Sequence, residues 1–591
     1  MHPVTREFSL PSQTDREIVT AMIRSSLHCQ PEIVSEPAHE PAASSAGGAV
    51  VESIRESACR YLDSFDWRLY LAGVALEERV TGAVRELRWL DLGNGGAVVA
   101  RQSTDAEPGF VDALPQGPVR TLLAPILGIR RLLPMAELLL RVQRLQVLNE
   151  DDKTVVRIVV EAPGLIGASG LAEASLPVRL QLIPVRGYAD EMADTVRRLE
   201  ASLGFSAVPN QTPTPLFHEA MAAAGCRPGA YSSKLSYRLD PEQRADAAAK
   251  EILLGLMDTL EANIDGTIDN LDSEFLHHLR VATRRTRSAL SQFKAVFPAS
   301  VVDDFKARFA WLQQVTGPVR DLDVYLLDFP MLRDSLPPTM RTGLEPLRDW
   351  LGSHYAEEQT ALAEALRSQQ FQALRRDWRA FLDAPTSSSI PASTSALGDV
   401  SGQHLEPLEP PEPTDAVDGG RSIKSVADRR IRGMYKRVRR EGRAITDASP
   451  AEALHELRKS CKKLRYLMEF FTSLYPRNEI RGPIKRCKVL LDNLGSFQDL
   501  EVQADHLAET ARRMHAEGAA SVATLLSMGA LIRTMLDGQQ QARERFARTF
   551  AKFDNDATRA AFDRLLDAPC DSRVAVESAA DLAGPKAVTN A

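Results

Sequence analysis

The chain has 591 residues, which is too long for one compact core and predicts two to four domains. Hydrophobic residues make up 44% and charged residues 26%, as in an ordinary soluble globular protein. The net charge of −7 excludes a generally cationic protein, so an anion-binding site would require local clustering of the 72 Lys and Arg residues.

Hydropathy and cysteine usage bear on the cellular location of the protein and on whether it has a metal site. No apolar run approaches the ~20 residues that a membrane helix needs. The six cysteines are scattered without a CxxC pair, which argues against a disulfide scaffold or a zinc site. We therefore expect a cytoplasmic protein with no membrane contact, no metal site and no cofactor.

Alternating apolar and polar residues predict strands in the N-terminal part of the chain. The pattern recurs over residues 84–92, 96–102, 145–161 and 174–185. The polar run Asn149–Lys153 predicts a hairpin turn, and a helix is predicted near Asp190–Leu203.

Segments rich in Pro, Ala, Ser and Gly divide the chain. We expect a flexible loop over residues 28–50, a disordered insertion over about 384–420 and a flexible tail over 571–591. Strand patterns give way to long helical patterns near residue 240. This change predicts a mixed domain over residues 1–240 and a helical domain over residues 241–570.

The helical part contains an internal repeat. His277–Leu290 resembles His455–Met468, and Thr316–Val324 resembles Leu494–Val502; both pairs are offset by 178 residues. Two motifs that share one offset across a Pro-rich insertion indicate duplication. We therefore expect two similar helical bundles, over about 241–383 and 421–560, related by an approximate two-fold axis.

Each repeated helix carries a row of cationic or histidine side chains within an arc of about 80°. These rows are His277, Arg280, Arg284 and Arg287 on the first helix, and His455, Arg458, Lys462 and Arg465 on the second. Arg285, Lys459 and Lys463 flank the rows, and Lys294 extends the first. The opposite faces are apolar: Phe275, Leu279, Ala282, Leu290 and Phe293, then Leu457, Leu464, Met468 and Phe471.

The first row has no acid between His277 and Lys294, so its counter-charge must come from elsewhere. That charge could be an external anion or an acidic helix of the same protein, and an ordinary solvated face stays open as well. Arg320, in the second repeated motif, can reach the same anion, whereas its counterpart is Gln498. We expect the histidines to contact phosphate or a neighbour at the helix start rather than a metal.

Aromatic residues are only 6% of the chain, and the basic rows hold none except Tyr466. Binding of single-stranded nucleic acid usually combines cations with aromatic stacking. A ligand made only of phosphate needs cations alone, which Arg and Lys provide. The composition therefore favours inorganic polyphosphate over nucleic acid.

At these residues the sequence resembles the CHAD family. The H-x-x-R-V-A-x-R-R-x-R pattern is matched by His277, Arg280, Arg284, Arg285 and Arg287. The second pattern is matched by His455, Arg458, Lys462, Lys463, Arg465 and Tyr466, and the R-D-x-D-V turn by Arg320, Asp321, Asp323 and Val324. The resemblance implies two four-helix bundles with a basic surface that binds polyphosphate, often on polyphosphate granules, and no catalysis.

The N-terminal part resembles the CYTH, or triphosphate-tunnel, family through Arg60–Leu76, Arg79 and the segment from Ser233 to Leu239. This resemblance implies an antiparallel β-tunnel, and with the helical part it predicts an α+β multidomain fold. The family's E-x-E-x-K signature is missing, because Pro3, Thr5 and Glu7 occupy its positions. Metal-assisted phosphoryl chemistry needs such carboxylates, so we expect a degenerate, non-catalytic tunnel.

The leading hypothesis is thus a non-catalytic polyphosphate-binding protein. One alternative is a divalent-metal-dependent triphosphatase or nucleotide cyclase in the N-terminal domain, for which Glu77, Glu78 and Glu161 are the remaining acids. Another is a nucleic-acid-binding or scaffold protein.

Overall fold

The computed structural model describes residues 6–10, 16–27, 49–51, 54–167, 172–203, 215–235, 237–293, 295–385 and 416–567. The chain divides into two compact units, Met1–Ser232 and Ser233–Ala591. The predicted loop, insertion and tail fall largely or wholly outside the described residues, and so does Lys294. Within the described part of the chain, no helix combines the length and apolarity needed to cross a bilayer.

The first unit combines strands with short helices. Its strands are β1 (Arg6–Ser9), β2 (Ala49–Val51), β3 (Arg55–Asp63), β4 (Val74–Thr81), β5 (Val84–Asp91), β6 (Ala97–Ser103), β7 (Leu133–Leu148), β8 (Thr154–Ile166), β9 (Ala172–Ser175) and β10 (Arg179–Pro184). Its helices are α1 (Arg16–Ser26), α2 (Arg68–Leu71), α3 (Pro118–Leu127), α4 (Ala189–Leu203) and α5 (Leu216–Ala223).

These strands form one antiparallel sheet with the order β1-β10-β8-β7-β3-β4-β5-β6, and β2 and β9 pair with β7 and β8. The sheet is a half-barrel, which confirms the barrel-like prediction. Its register places Tyr61 opposite Glu77, and Glu77 opposite Arg88. Since side chains alternate between the two faces of a strand, this register gathers charged residues on one face of the sheet.

The predicted hairpin turn joins β7 to β8. The side-chain oxygen of Asn149 accepts hydrogen bonds from the backbone N–H groups of Asp151 (3.1 Å) and Lys153 (2.9 Å). Asp152 adopts a left-handed backbone conformation with φ of 55°. Asn and Asp tolerate this conformation better than most residues, which explains why the polar run forms a turn.

The second unit is helical in its described part. Its helices in the first repeat are α6 (Ala245–Ala262), α7 (Ile264–Ile268), α8 (Ser273–Gln292), α9 (Ala299–Val315), α10 (Gly317–Asp334), α11 (Pro338–Arg341), α12 (Glu345–Arg367) and α13 (Gln369–Asp383). Those of the second repeat are α14 (Ile423–Arg443), α15 (Ala451–Phe470), α16 (Arg477–Ala516), α17 (Val522–Phe553) and α18 (Asp556–Asp567). The α+β multidomain prediction is therefore confirmed.

The helix bounds repeat with the same offset as the motifs. Both ends of α15 lie 178 residues after the ends of α8, and α14 and α16 begin 178 residues after α6 and α9. The duplication therefore extends beyond the repeated motifs to the length and position of the helices.

Contacts between equivalent residues locate the two-fold axis. Ala245 N–H donates to the Arg421 carbonyl, and Ile423 N–H donates to the Gln243 carbonyl, both at 2.8 Å. Each bond is the image of the other under the 178-residue shift. A residue that contacts its own equivalent must lie at the axis, and the rings of Phe293 and Phe471, with centroids 5.8 Å apart, do so.

The repeats differ where Thr316 and Gly317 separate α9 from α10. The first repeat carries Pro318 there, at the first turn of α10. Proline has no N–H and so cannot continue the hydrogen bonds of the preceding helix. The second repeat has Ser496 at the equivalent position, and α16 runs through it as one helix of 40 residues.

The apolar faces of α8 and α15 enter a hydrophobic core shared by both repeats. Among its members, Leu279, Leu290, Leu457 and Leu464 have no exposed surface. Burying one such side chain contributes about 1.5–3 kcal/mol. This burial fixes the rotation of both helices, so the opposite, basic faces point away from the core.

Candidate functional site

The basic faces of α8 and α15 meet along one groove. We call it the α8/α15 groove, a cavity of about 410 Å³. Its lining residues are Arg284, Arg287, Ser288 and Ser291 of α8, Lys306 of α9, and His455, Arg458, Lys459, Lys462, Lys463 and Tyr466 of α15. Seven Lys or Arg side chains and no acid line this groove, so it is a strongly positive surface.

Tyr466 joins the two helices at the bottom of the groove. Its hydroxyl accepts a hydrogen bond from Arg284 Nε at 3.1 Å. The guanidinium of Arg465 lies over its ring, 5.3 Å from the centroid. The side chain is buried, so its ring does not offer a stacking surface to a ligand.

The pKa of Lys462 reflects its burial and the positive charges around it in the groove. Its pKa is lowered to about 8, first by burial and then by the nearby Arg458, Arg284 and Arg465, while Asp499 opposes the shift. A lysine ordinarily titrates near pH 10.4. The positive charges of the groove are thus incompletely balanced by acids of the protein, which is the condition under which an external anion binds.

His455 lies in the groove, and its Nδ1 is in hydrogen-bond contact with the side-chain oxygen of Gln498. Gln498 is the repeat equivalent of Arg320. His277, the equivalent of His455, does not line the groove; its ring lies 5.8 Å from that of His278. The two predicted histidines therefore occupy different environments.

Arg280 has a structural contact that its counterpart lacks. Its Nη1 donates to the Gln313 carbonyl (3.0 Å) and to the Thr316 hydroxyl (2.9 Å) at the end of α9. Burial lowers the pKa of this guanidinium. The equivalent Arg458 instead forms an ion pair of 2.8 Å with Asp499, because α16 has no break that exposes carbonyl groups.

Three other predicted cations are held by acids outside the groove lining. Arg285 and Arg465 both face Glu469, at 3.6 and 3.3 Å. Arg320 lies 3.7 Å from the buried Asp323. Arg465 also lines a neighbouring depression of about 570 Å³ on the α16 side of α15, where Asp492 and Asp499 accompany the cations.

The groove includes residues outside the two basic rows. Lys306 comes from α9, and its repeat equivalent is Ile484, so the repeat carries no signal for it. Lys459 is visible in the sequence as a flanking residue of the basic row. Ser288 adds a hydroxyl group that can donate to a phosphate oxygen, whereas the hydroxyl of Ser291 donates to the Arg287 carbonyl at 2.8 Å.

The half-barrel of the first unit encloses a second charged cavity of about 460 Å³. Glu77 pairs with Arg79 at 2.5 Å and lies 3.4 Å from Arg88, while Glu161 pairs with Arg79 at 3.1 Å. Burial opposes the charged form of Arg79, but Glu77 and Glu161 outweigh it and raise its pKa. Glu78 faces Arg60 and Arg85.

Among the described residues, no group of three or more His, Cys, Asp or Glu side chains has the arrangement of a metal site. Glu77, Glu78 and Glu161, the acids that the triphosphate-tunnel resemblance leaves in this unit, form ion pairs with arginines.

Comparison with known proteins identifies the helical unit. Residues 251–508 match the family described as the CHAD domain, so the chain carries a CHAD domain. The CHAD domain from the plant Ricinus communis is 23% identical, covering 56% of this chain and 96% of its own, with a TM-score of 0.40. The N-terminal unit resembles a candidate adenylate cyclase from Bacillus halodurans at 13% identity, over 36% of this chain and 95% of that chain, with a TM-score of 0.23.

Two uncharacterised proteins of Mycobacterium tuberculosis, from strains CDC 1551 and H37Rv, are each 26% identical over 291 residues. The match covers 48% of this chain and 49% of each relative. This chain thus spans about half the length of the curated relatives it matches.

Proposed function

We propose that the protein binds inorganic polyphosphate in the α8/α15 groove and does not catalyse a reaction there. The observation that carries the proposal is the convergence of seven cations from three helices, without an acid, on one groove. Arg and Lys bind phosphate oxygens through charge-assisted hydrogen bonds. The resemblance to the CHAD family implies polyphosphate as the ligand, which agrees with this chemistry.

Two features favour a phosphate polymer over nucleic acid. The aromatic ring in the groove, Tyr466, is buried and in contact with Arg284 and Arg465, so it is not a platform for bases. Burial lowers the pKa of Lys462 most, and Arg458, Arg284 and Arg465 also lower it, so this part of the groove has an excess of positive charge that a negatively charged ligand can balance. A polymer of phosphates supplies negative charge along the whole groove.

The test is a titration of the full chain with labelled long polyphosphate at about 50 and 200 mM salt. Arg287 and Lys463 line the groove, and neither forms an ion pair with another described residue. The double variant Arg287→Gln/Lys463→Gln should therefore fold normally. It should bind about 30-fold more weakly, for two contacts of about 1 kcal/mol each.

The matched control is Lys153→Gln/Arg197→Gln, which removes the same charges from exposed positions of the first unit. It should bind like the unchanged protein. The dependence of log affinity on log salt should also become shallower by about two in the groove variant, by analogy with nucleic acids. Equal binding by both variants would show that the groove is not the site.

A further inference from the structure

A second cationic surface lies on α14, outside both basic rows. This helix of 21 residues, Ile423–Arg443, contains nine Lys and Arg residues and two acids. The whole chain has a net charge of −7, so α14 concentrates positive charge against the trend of the molecule. Like charges at i,i+4 destabilise a helix by about 0.2–0.5 kcal/mol per pair, and α14 has several such pairs.

The cations share one exposed face of α14. On the opposite face, Ile423, Ile431 and Val438 are fully buried. At 100° per residue, five exposed cations fall within an arc of about 80° and extend over about 21 Å. We call these five the α14 stripe: Arg429, Arg432, Lys436, Arg440 and Arg443.

The first repeat shows that the fold does not require these cations. The positions equivalent to the stripe, 178 residues earlier, hold Glu251, Leu254, Asp258, Ala262 and Asp265. The equivalent helix α6 begins at the matching residue and packs into the same core. Arg429, Lys436 and Arg443 therefore replace three acids of the first repeat, so the two helices differ in surface charge.

Acids of the protein neutralise the stripe only in part. Arg432 pairs with Asp567 at 3.2 Å, with both side chains exposed, whereas Arg443 and Arg429 pair with the buried carboxylates of Asp554 and Asp418. Lys436 and Arg440 form no ion pair with another described residue. The exposed pair of Arg432 and Asp567 contributes at most about 1 kcal/mol, so a strong external anion can replace it.

The surface beside the stripe is open enough for a chain molecule. Arg429, Arg432 and Lys436 border a depression of about 640 Å³. Gly433 lies between them, and a Cβ at this residue would meet no described atom within 4 Å. The aromatic residue of α14, Tyr435, is buried, so the exposed face offers cations without a stacking surface.

We infer that the α14 stripe is a second binding site for polyphosphate, separate from the α8/α15 groove. This inference rests on the proposed function. A polymer that contacts both sites gains affinity, because its second contact is intramolecular. The stripe should therefore matter most for long polymers.

The test compares four forms of the full chain on polyphosphates of about 15 and about 100 units. The stripe variant is Arg432→Gln/Lys436→Gln/Arg440→Gln; Gln is a good helix former, and circular dichroism checks the fold. The groove variant is Arg287→Gln/Lys463→Gln, and a third form combines both. The control, Lys153→Gln/Arg197→Gln/Arg198→Gln, removes two Arg and one Lys from exposed positions.

The stripe variant should bind the long polymer at least about fivefold more weakly than the control, with a salt slope shallower by about three. The combined variant should lose the binding that the groove variant retains. If the stripe variant equals the control while the groove variant is impaired, the inference is wrong and the proposed function stands. If the groove variant also equals the control, the proposed function is wrong.

The same variants separate the ligand classes. Single-stranded RNA and anionic phospholipid vesicles are titrated beside polyphosphate. A stripe variant that loses affinity for RNA or vesicles, but keeps its full affinity for polyphosphate, would overturn the assignment of the ligand.

Discussion

At the scale of single residues, Lys462 predicts how binding should depend on pH. Its pKa is about 8 in the folded protein, below the usual value for lysine. A bound anion favours the charged form, so raising the pH from about 7 to 9 removes a proton that binding requires. Affinity for polyphosphate should therefore fall across this range, by up to about tenfold per pH unit.

A matched pair of variants checks whether Lys462 causes this pH dependence. Lys462→Gln should bind more weakly at pH 7 and show a flatter pH profile, because the titrating group is gone. Lys153→Gln, which changes an exposed lysine of the first unit, should keep the full pH step. A Lys462→Gln protein with an unchanged pH step would assign the titration to another group.

The sequence could predict which residues share a helix face, but not which of them meet the groove. The 3.6-residue period places Arg280 and Arg284 on one face of α8. Whether each side chain binds a ligand depends on its neighbours in space. Arg280 meets the end of α9, and Arg285 meets Glu469 on α15, both contacts between residues distant in sequence. Lys306 enters the groove for the same tertiary reason.

At the scale of elements, the repeat was the most informative sequence feature. A single offset of 178 residues predicted two related bundles, and it also relates the bounds of α8 to those of α15. The continuous α16 was not predictable from similarity alone. The first repeat has Pro318 at the break between α9 and α10. The second repeat has Ser496 at the equivalent position, where α16 continues without a break.

This difference gives a test of how rigid α16 is. Ser496→Pro should destabilise the protein by about 3 kcal/mol, because proline removes the N–H of residue 496 and clashes with the carbonyl of Asp492. Ser496→Ala, which keeps the N–H, should change stability little. Urea unfolding followed by circular dichroism measures both. A Ser496→Pro protein as stable as Ser496→Ala would show that the second repeat tolerates the break of the first.

At the scale of the whole molecule, charge is distributed unevenly among similar elements. The net charge of −7 conceals two strongly positive surfaces, the α8/α15 groove and the α14 stripe. Composition alone could not show this, because it averages over residues that folding separates. In the first unit, strand patterns predicted the sheet, but the pairing of its buried acids with arginines depends on strand register.

The state of those acids predicts that the full chain releases no phosphate from tripolyphosphate or ATP when Mg²⁺ or Mn²⁺ is added. Such ions need carboxylate ligands, and Glu77 and Glu161 both pair with Arg79 in the half-barrel cavity. A colorimetric phosphate assay, with an active triphosphatase as positive control, measures this. Metal-dependent release that disappears in Glu161→Gln would establish catalysis in the N-terminal unit, since that substitution removes one charge and leaves the side-chain volume unchanged.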